Sequence, residues 1–143
     1  MRQLLKNRKA KYNYELLTSY EAGLVLTGTE IKSLRNGRAT LTDSYCYFNG
    51  KELFLKGLSI EKYRGEGAVE RDIKLLLHKK ELSKIKAKLE TKGLTIVATS
   101  VYLKGSNAKI EICLARGKKN HDKRNTLKEK SIKKDLDRYA KET

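Results

Sequence analysis

Between Lys118 and Arg124 the chain runs Lys-Lys-Asn-His-Asp-Lys-Arg: four cations, one imidazole and one carboxylate, with no large apolar side chain to anchor them in a core. Two chemistries fit such a run. Cations on an extended backbone neutralise phosphates, and an imidazole among them can stack on a base or, when protonated, donate to a phosphate. Alternatively, His121 with Asp122 or with His78 would supply the acid and base of a small ribonuclease. That reaction needs two groups held at one phosphoester, and two histidines in 143 residues, one of them in a charge-rich tail, make a poor constellation. A solvated tail without a partner is the plain alternative. The sequence therefore predicts an anion-binding protein that catalyses no reaction.

Composition supports a polyanionic partner. There are 33 Lys and Arg against 17 Asp and Glu, a formal net charge of +16, and nucleic acid is the default ligand for such an excess. The charge is concentrated at the ends: residues 1–14 hold five cations and no acids, and residues 117–143 hold ten cations and five acids. Apolar residues make up 38%, and no run approaches the roughly 18 that a membrane-spanning helix needs. The start, Met1 to Lys6, has no apolar segment of the kind a secretory signal carries, so a cytoplasmic protein without a membrane partner is expected. Cys46 and Cys113 lie far apart without a second ligand pair, which predicts reduced thiols packed as small residues, no metal and no cofactor.

The elements that position these charges follow from periodicity. Residues 14–20 alternate weakly, and residues 23–27 read as a second strand ending at Gly28. Thr29 stands as the cap of a short helix through Leu34, stopped by Gly37, with Lys32 and Arg35 three apart on one face. Residues 39–48 and 51–58 form a hairpin about Asn49-Gly50, and Tyr45 and Tyr47 share a face. Residues 61–72, with Gly65 and Gly67, read as a mobile loop; Leu75-Leu76-Leu77 reads as buried. A helix over 79–92 carries Leu82, Ile85 and Leu89 inward and Lys80, Lys84 and Lys88 outward, with Gly93 as its stop. Strands 94–103 and 108–114 complete about six strands, mostly adjacent in sequence, and two helices, which predicts a small antiparallel barrel or sandwich. Beyond Arg124, Thr126 and Glu129 have capping-box spacing, and Ile132, Leu136, Tyr139 and Ala140 form a narrow stripe. This tail is expected to be disordered when free and helical when docked. At the other end, Asn7 to Tyr14 interleaves cations with Tyr12 and Tyr14, the combination that loop or single-stranded RNA requires.

Several of these segments resemble the tmRNA-binding small protein B (SsrA-binding protein) family of bacteria. The resemblance rests on Asn7-Arg8-Lys9-Ala10, Glu21-Ala22-Gly23-Leu24, the run from Gly28 to Gly37, Asp43-Ser44-Tyr45, Lys74-Leu75-Leu76-Leu77, Glu81-Leu82, Ala115-Arg116-Gly117-Lys118-Lys119 and Asp122-Lys123-Arg124. These occur in the family's order over nearly the whole chain. The resemblance implies a mainly β, OB-like antiparallel barrel of about six strands with two or three flanking helices and a basic C-terminal tail. It divides the chain into a basic N-terminal arm over residues 1–13, a barrel over 14–116 and a tail over 117–143.

It also implies a role: binding the tRNA-like domain of tmRNA and delivering it to stalled ribosomes for trans-translation, the tail entering the small-subunit decoding region and the empty mRNA path. On this resemblance tmRNA is met by Asn7, Glu21, Leu76 and Lys109. Arg8, Lys9, Lys11 and Tyr12 of the basic arm, with Lys32 and Arg35, join them on physical grounds. The tail offers Gly117 as a hinge, then Lys118, Lys119, His121, Asp122, Lys123, Arg124, Lys128, Lys133 and Lys134 to the ribosome. Two departures stand out: the Asn7 motif follows a short N-terminus, and Tyr12 replaces a histidine common in the family, which keeps stacking but loses imidazole protonation. An edge-free barrel gives no reason to expect assembly, so a monomer is predicted.

Overall fold

A computed structural model describes residues 2–118. The predicted tail helix, its capping box, and the ribosome-directed residues Lys119, His121, Asp122, Lys123, Arg124, Lys128, Lys133 and Lys134 lie outside the described residues.

Eight strands and three helices follow in the order β1 (Arg2–Lys6), α1 (Arg8–Asn13), β2 (Tyr14–Leu24), α2 (Gly28–Arg35), β3 (Ala39–Asn49), β4 (Glu52–Glu61), β5 (Ala68–Val69), β6 (Ile73–Leu76), α3 (Lys79–Leu89), β7 (Leu94–Lys104) and β8 (Asn107–Gly117). Every pairing is antiparallel. The path β7-β3-β4-β6-β2-β8 closes through a β7–β8 pairing into a ring of six strands, with β1 added to β7 and β5 to β4. Inward-facing residues, among them Leu53, Leu55, Ile73, Ile96, Ile110 and Ile112, fill the ring.

The count of six ring strands agrees with the periodicity, but two of their identities differ. The segment read as a strand at 14–20 runs on to Leu24 as β2, taking in only Gly23 and Leu24 of the second strand expected at 23–27; β2 pairs with β8 from Tyr14 to Gly23 and carries an irregularity between Leu16 and Thr18. The sixth ring strand is β6, too short to show a period of its own. Its four residues alternate strictly, so Ile73 and Leu75 point inward while Leu76 is 55% exposed, which corrects the expectation that all three leucines are buried.

The hairpin turn is also displaced by one residue. Asn49 pairs with Glu52, so Gly50-Lys51 form the turn, and Gly50 takes the positive φ of 64° that its first position requires. Within residues 61–72, β5 holds the segment to β4, and Arg71 and Asp72 are engaged by Glu30 and Tyr47.

Residues 2–13 are part of the folded body rather than an arm beside it. β1 continues the sheet along β7. α1 has good helix formers but only six residues, too few to stand alone in water. It is held because Ala10 packs on Val97, Cys113 and Ala115, a second apolar cluster outside the ring in which small side chains let the helix lie close. Cys46 and Cys113 are buried free thiols, and burial raises the pKa of both, so each packs as an apolar residue.

α2 begins two residues earlier than expected. Thr27, not Thr29, is the N-cap, and Thr27 and Glu30 form a reciprocal capping box. In α3, Ile85 is fully buried, Lys80, Lys84 and Lys88 are exposed, and Glu81 reaches back to the His78 backbone N–H. His78 thus serves as the start of a helix. No described helix is long and apolar enough to cross a membrane.

Candidate nucleic-acid interface

Three of the predicted contacts come together through strand register. Tyr102 of β7 pairs with Lys109 of β8, Lys109 with Gly23 of β2, and Gly23 with Leu76 of β6, making one transverse row on the outer surface of the ring. Gly23 has no side chain between its neighbours; a Cβ there would lie 3.4 Å from Leu76 Cβ and 3.8 Å from Lys109 Nζ. Its absence leaves a shallow seat flanked by an apolar side chain and a cation.

Glu21 projects beside this row, two residues before Gly23 on the same face. Tyr102 Oη donates to its Oε2 at 2.5 Å, and Lys104 Nζ lies 3.5 Å from Oε1. The Tyr102 hydrogen bond, with help from Lys104 and Lys109 against a desolvation cost, holds the Glu21 carboxyl below its ordinary value of 4.5. Conversely, burial first and the Glu21 bond second push the Tyr102 hydroxyl up, so it remains a donor. Such a carboxylate is able to accept from a base amino group or a 2′-hydroxyl, a lysine such as Lys109 is able to pair with phosphate, and an exposed Leu76 offers apolar surface. Exposed ion pairs of this kind contribute little to stability.

Tyr102 and Lys104 carry no local sequence signal, and Gly23 enters the resemblance as part of a motif without a contact role. Their membership follows from cross-strand register, which neighbouring residues along one strand do not reveal.

Asn7 occupies a different place. Its backbone N–H donates to Thr99 O at 2.8 Å, and its side-chain amide donates to Ala98 O at 3.0 Å and Ser44 Oγ at 3.4 Å. These bonds fall where the β7–β8 register shifts between Ala98 and Ser100. Ser44 is turned inward by a bulge in β3, where Asp43 adopts a positive φ of 49°. Asn7 therefore fastens the start of α1 to the sheet, and the exposed Arg8, Lys9 and Lys11, with half-buried Tyr12, are displayed by what it fastens.

A groove of about 810 Å³ opens beside α1, with Lys6, Arg8, Lys9 and Lys118 among its lining residues, and Asp43 as the lining carboxylate. Gly117 and Lys118, the last described residues, line this groove. Gly117 is still paired with Tyr14 and shows no left-handed backbone, and the Lys118 N–H donates to Asn13 O at 3.0 Å. Gly117 and Lys118 are thus both held to the body by backbone hydrogen bonding. Lys32 and Arg35 are exposed but serve separate hollows: Lys32 Nζ lies 5.2 Å from the centre of the Tyr63 ring, whereas Arg35 lines a depression with Arg2 and Leu103.

Comparison with known proteins gives one family throughout. The model of the SmpB protein family matches residues 4–142. An SsrA-binding protein of Streptomyces avermitilis is 49% identical over 138 residues, covering 93% of this chain and 77% of its own length. One from Prochlorococcus marinus (strain MIT 9312) is 46% identical over 145 residues, covering 98% and 88%. A solved structure described as "tmRNA-SmpB: a journey to the center of the bacterial ribosome" contains a chain that superposes with a TM-score of 0.67 at 41% identity, covering 86% of this chain and 93% of that one. With sequence matched almost from end to end and the ring of strands shared with a solved chain, this protein belongs to the SmpB protein family.

Proposed function

We propose that this protein binds tmRNA (SsrA RNA) through its tRNA-like domain and brings it to stalled ribosomes for trans-translation, without catalysing a reaction. The observation that carries this reading is the row Tyr102–Lys109–Gly23–Leu76 with Glu21 beside it, in a chain whose relatives are SsrA-binding proteins. The six-strand ring serves as an OB-like barrel, an architecture whose outer surface is a common nucleic-acid platform. Glu21, Leu76 and Lys109 contact the RNA directly. Asn7 acts by positioning Arg8, Lys9, Lys11 and Tyr12, and Lys32 and Arg35 add phosphate contacts from α2. Residues beyond Gly117 form a separate zone for the small-subunit decoding region and mRNA path, where Lys118, Lys119, His121, Asp122, Lys123, Arg124, Lys128, Lys133 and Lys134 meet ribosomal RNA. The protein works as a cytoplasmic monomer.

The deciding measurement is a competition between tmRNA and an elongator tRNA at about 0.15 M salt, where nonspecific phosphate binding weakens for every RNA alike. Preference for tmRNA supports the reading, and equal binding refutes it. Truncation after Lys118 keeps the bond to Asn13 and is expected to leave tmRNA capture within about twofold while abolishing peptide tagging on stalled ribosomes; loss of capture as well would refute the two-zone division.

A further inference from the structure

The pairing Tyr45↔Lys56 and Tyr47↔Phe54 puts three rings and a cation on the outer surface of β3 and β4. Tyr45 and Tyr47 have ring centres 6.3 Å apart, tilted by 50°, and Tyr47 stacks on Phe54 at 5.9 Å with 23° between planes. Tyr45, at the end of this stripe, is 40% exposed and is also a wall of the groove beside α1. Tyr47 is fixed by a hydrogen bond from its hydroxyl to Asp72.

Charge along the stripe is graded. The groove end carries Lys6, Arg8 and Lys9 against the single carboxylate Asp43, with Lys56 paired to Tyr45, whereas Asp72 and the ion pair Lys74–Glu52 lie at the Phe54 end. Cross-strand ring pairs stabilise a sheet by packing on one another, which accounts for Tyr47 and Phe54. It does not account for an outermost ring left open to solvent at the mouth of a cationic groove.

We propose that Tyr45 is a stacking platform for an unpaired RNA base, with the sugar-phosphate backbone of that single-stranded segment lying in the groove. Cations that track the backbone and a ring that takes the base are the two parts a sequence-tolerant single-strand site needs, and here they adjoin. Tyr47 and Phe54 back the platform, and the carboxylates at the far end keep phosphates at the groove. The inference rests on the reading of this protein as an RNA binder; its ring, Tyr45, is separate from Glu21, Leu76 and Lys109, while Arg8 and Lys9 of the groove are shared with the proposed tmRNA contacts.

The test uses the full chain and an oligoadenylate of about ten nucleotides, followed by fluorescence anisotropy over a salt series. Tyr45→Leu keeps apolar bulk without the ring and is expected to weaken oligonucleotide binding by roughly fivefold or more at every salt concentration, since stacking releases no counterions. Tyr45→Phe should bind as the unaltered protein does, and thermal melting of both variants checks the fold. Capture of the isolated tRNA-like domain should change less than about twofold in Tyr45→Leu. Undiminished oligonucleotide binding by folded Tyr45→Leu, or equal loss of both RNAs, would overturn the proposal. If the protein shows no preference for tmRNA yet Tyr45→Leu still loses the oligonucleotide, the platform stands and the tmRNA reading falls.

Discussion

Replacing Glu30 by alanine tests how helix α2 is held. Glu30 is 6% exposed, accepts from the Thr27 backbone N–H at 2.8 Å, and receives Arg71 through Nη2 at 2.7 Å and Nε at 3.2 Å. Losing the charged acceptor of the capping box costs about 1 kcal/mol. The paired bonds to Arg71 add about 1–2 kcal/mol, below the range for fully buried pairs because the guanidinium side chain is 42% exposed to water. The sum, about 2–3 kcal/mol, corresponds to a melting temperature lower by about 8–12 °C for a body of this size. A double-mutant cycle with Arg71→Ala should return a coupling of about 1 kcal/mol or more.

The pH dependence has a defined sign. Burial alone raises the Glu30 pKa, but the bonds from Arg71 and Thr27 outweigh it and leave the carboxyl below its ordinary 4.5. Its contribution is therefore complete above pH 4.5 and disappears as pH falls through the folded-state value. Urea unfolding of the protein and of Glu30→Ala should differ by a constant amount near neutrality, and the gap should narrow below pH 4.5. A melting change under about 2 °C at pH 7, or a gap that widens on acidification, would refute this account.

Two further substitutions separate recognition from support. Leu76→Ser should change stability by no more than about 0.5 kcal/mol, because the side chain already faces solvent, yet weaken tmRNA capture about tenfold; titration with labelled tRNA-like domain beside a melting curve checks both. Asn7→Ala removes the bonds to Ala98 and Ser44, so it should destabilise by about 1–2 kcal/mol, increase hydrogen exchange in α1 and weaken capture together. Weakened capture with unchanged melting and exchange would make Asn7 a direct contact instead.

Much of the fold is legible in local pattern. The Lys79–Leu89 helix has its apolar residues at helical spacing, and the β3–β4 hairpin has turn residues between two alternating runs, so each is specified by residues near in sequence. β6 is not legible in this way: three consecutive leucines carry no period, and only its seat between β4 and β2 decides which of them faces water. α1 is likewise hidden, since a six-residue basic helix exists only because Ala10 finds small neighbours on β7 and β8.

The sequence by itself determined that the partner is a polyanion, that most of the ring is built from strands adjacent in order, and which short segments the chain shares with its family. Charge, periodicity and motif are properties of neighbouring residues. Tertiary structure alone decided that Glu21, Gly23, Leu76, Tyr102 and Lys109 form one surface, because register joins residues as far apart in sequence as Gly23 and Lys109 through hydrogen bonds between strands rather than along one. It also decided how Asn7 is fastened to the sheet, since the carbonyls of Ala98 and Thr99 that it satisfies become its neighbours only when the ring has closed.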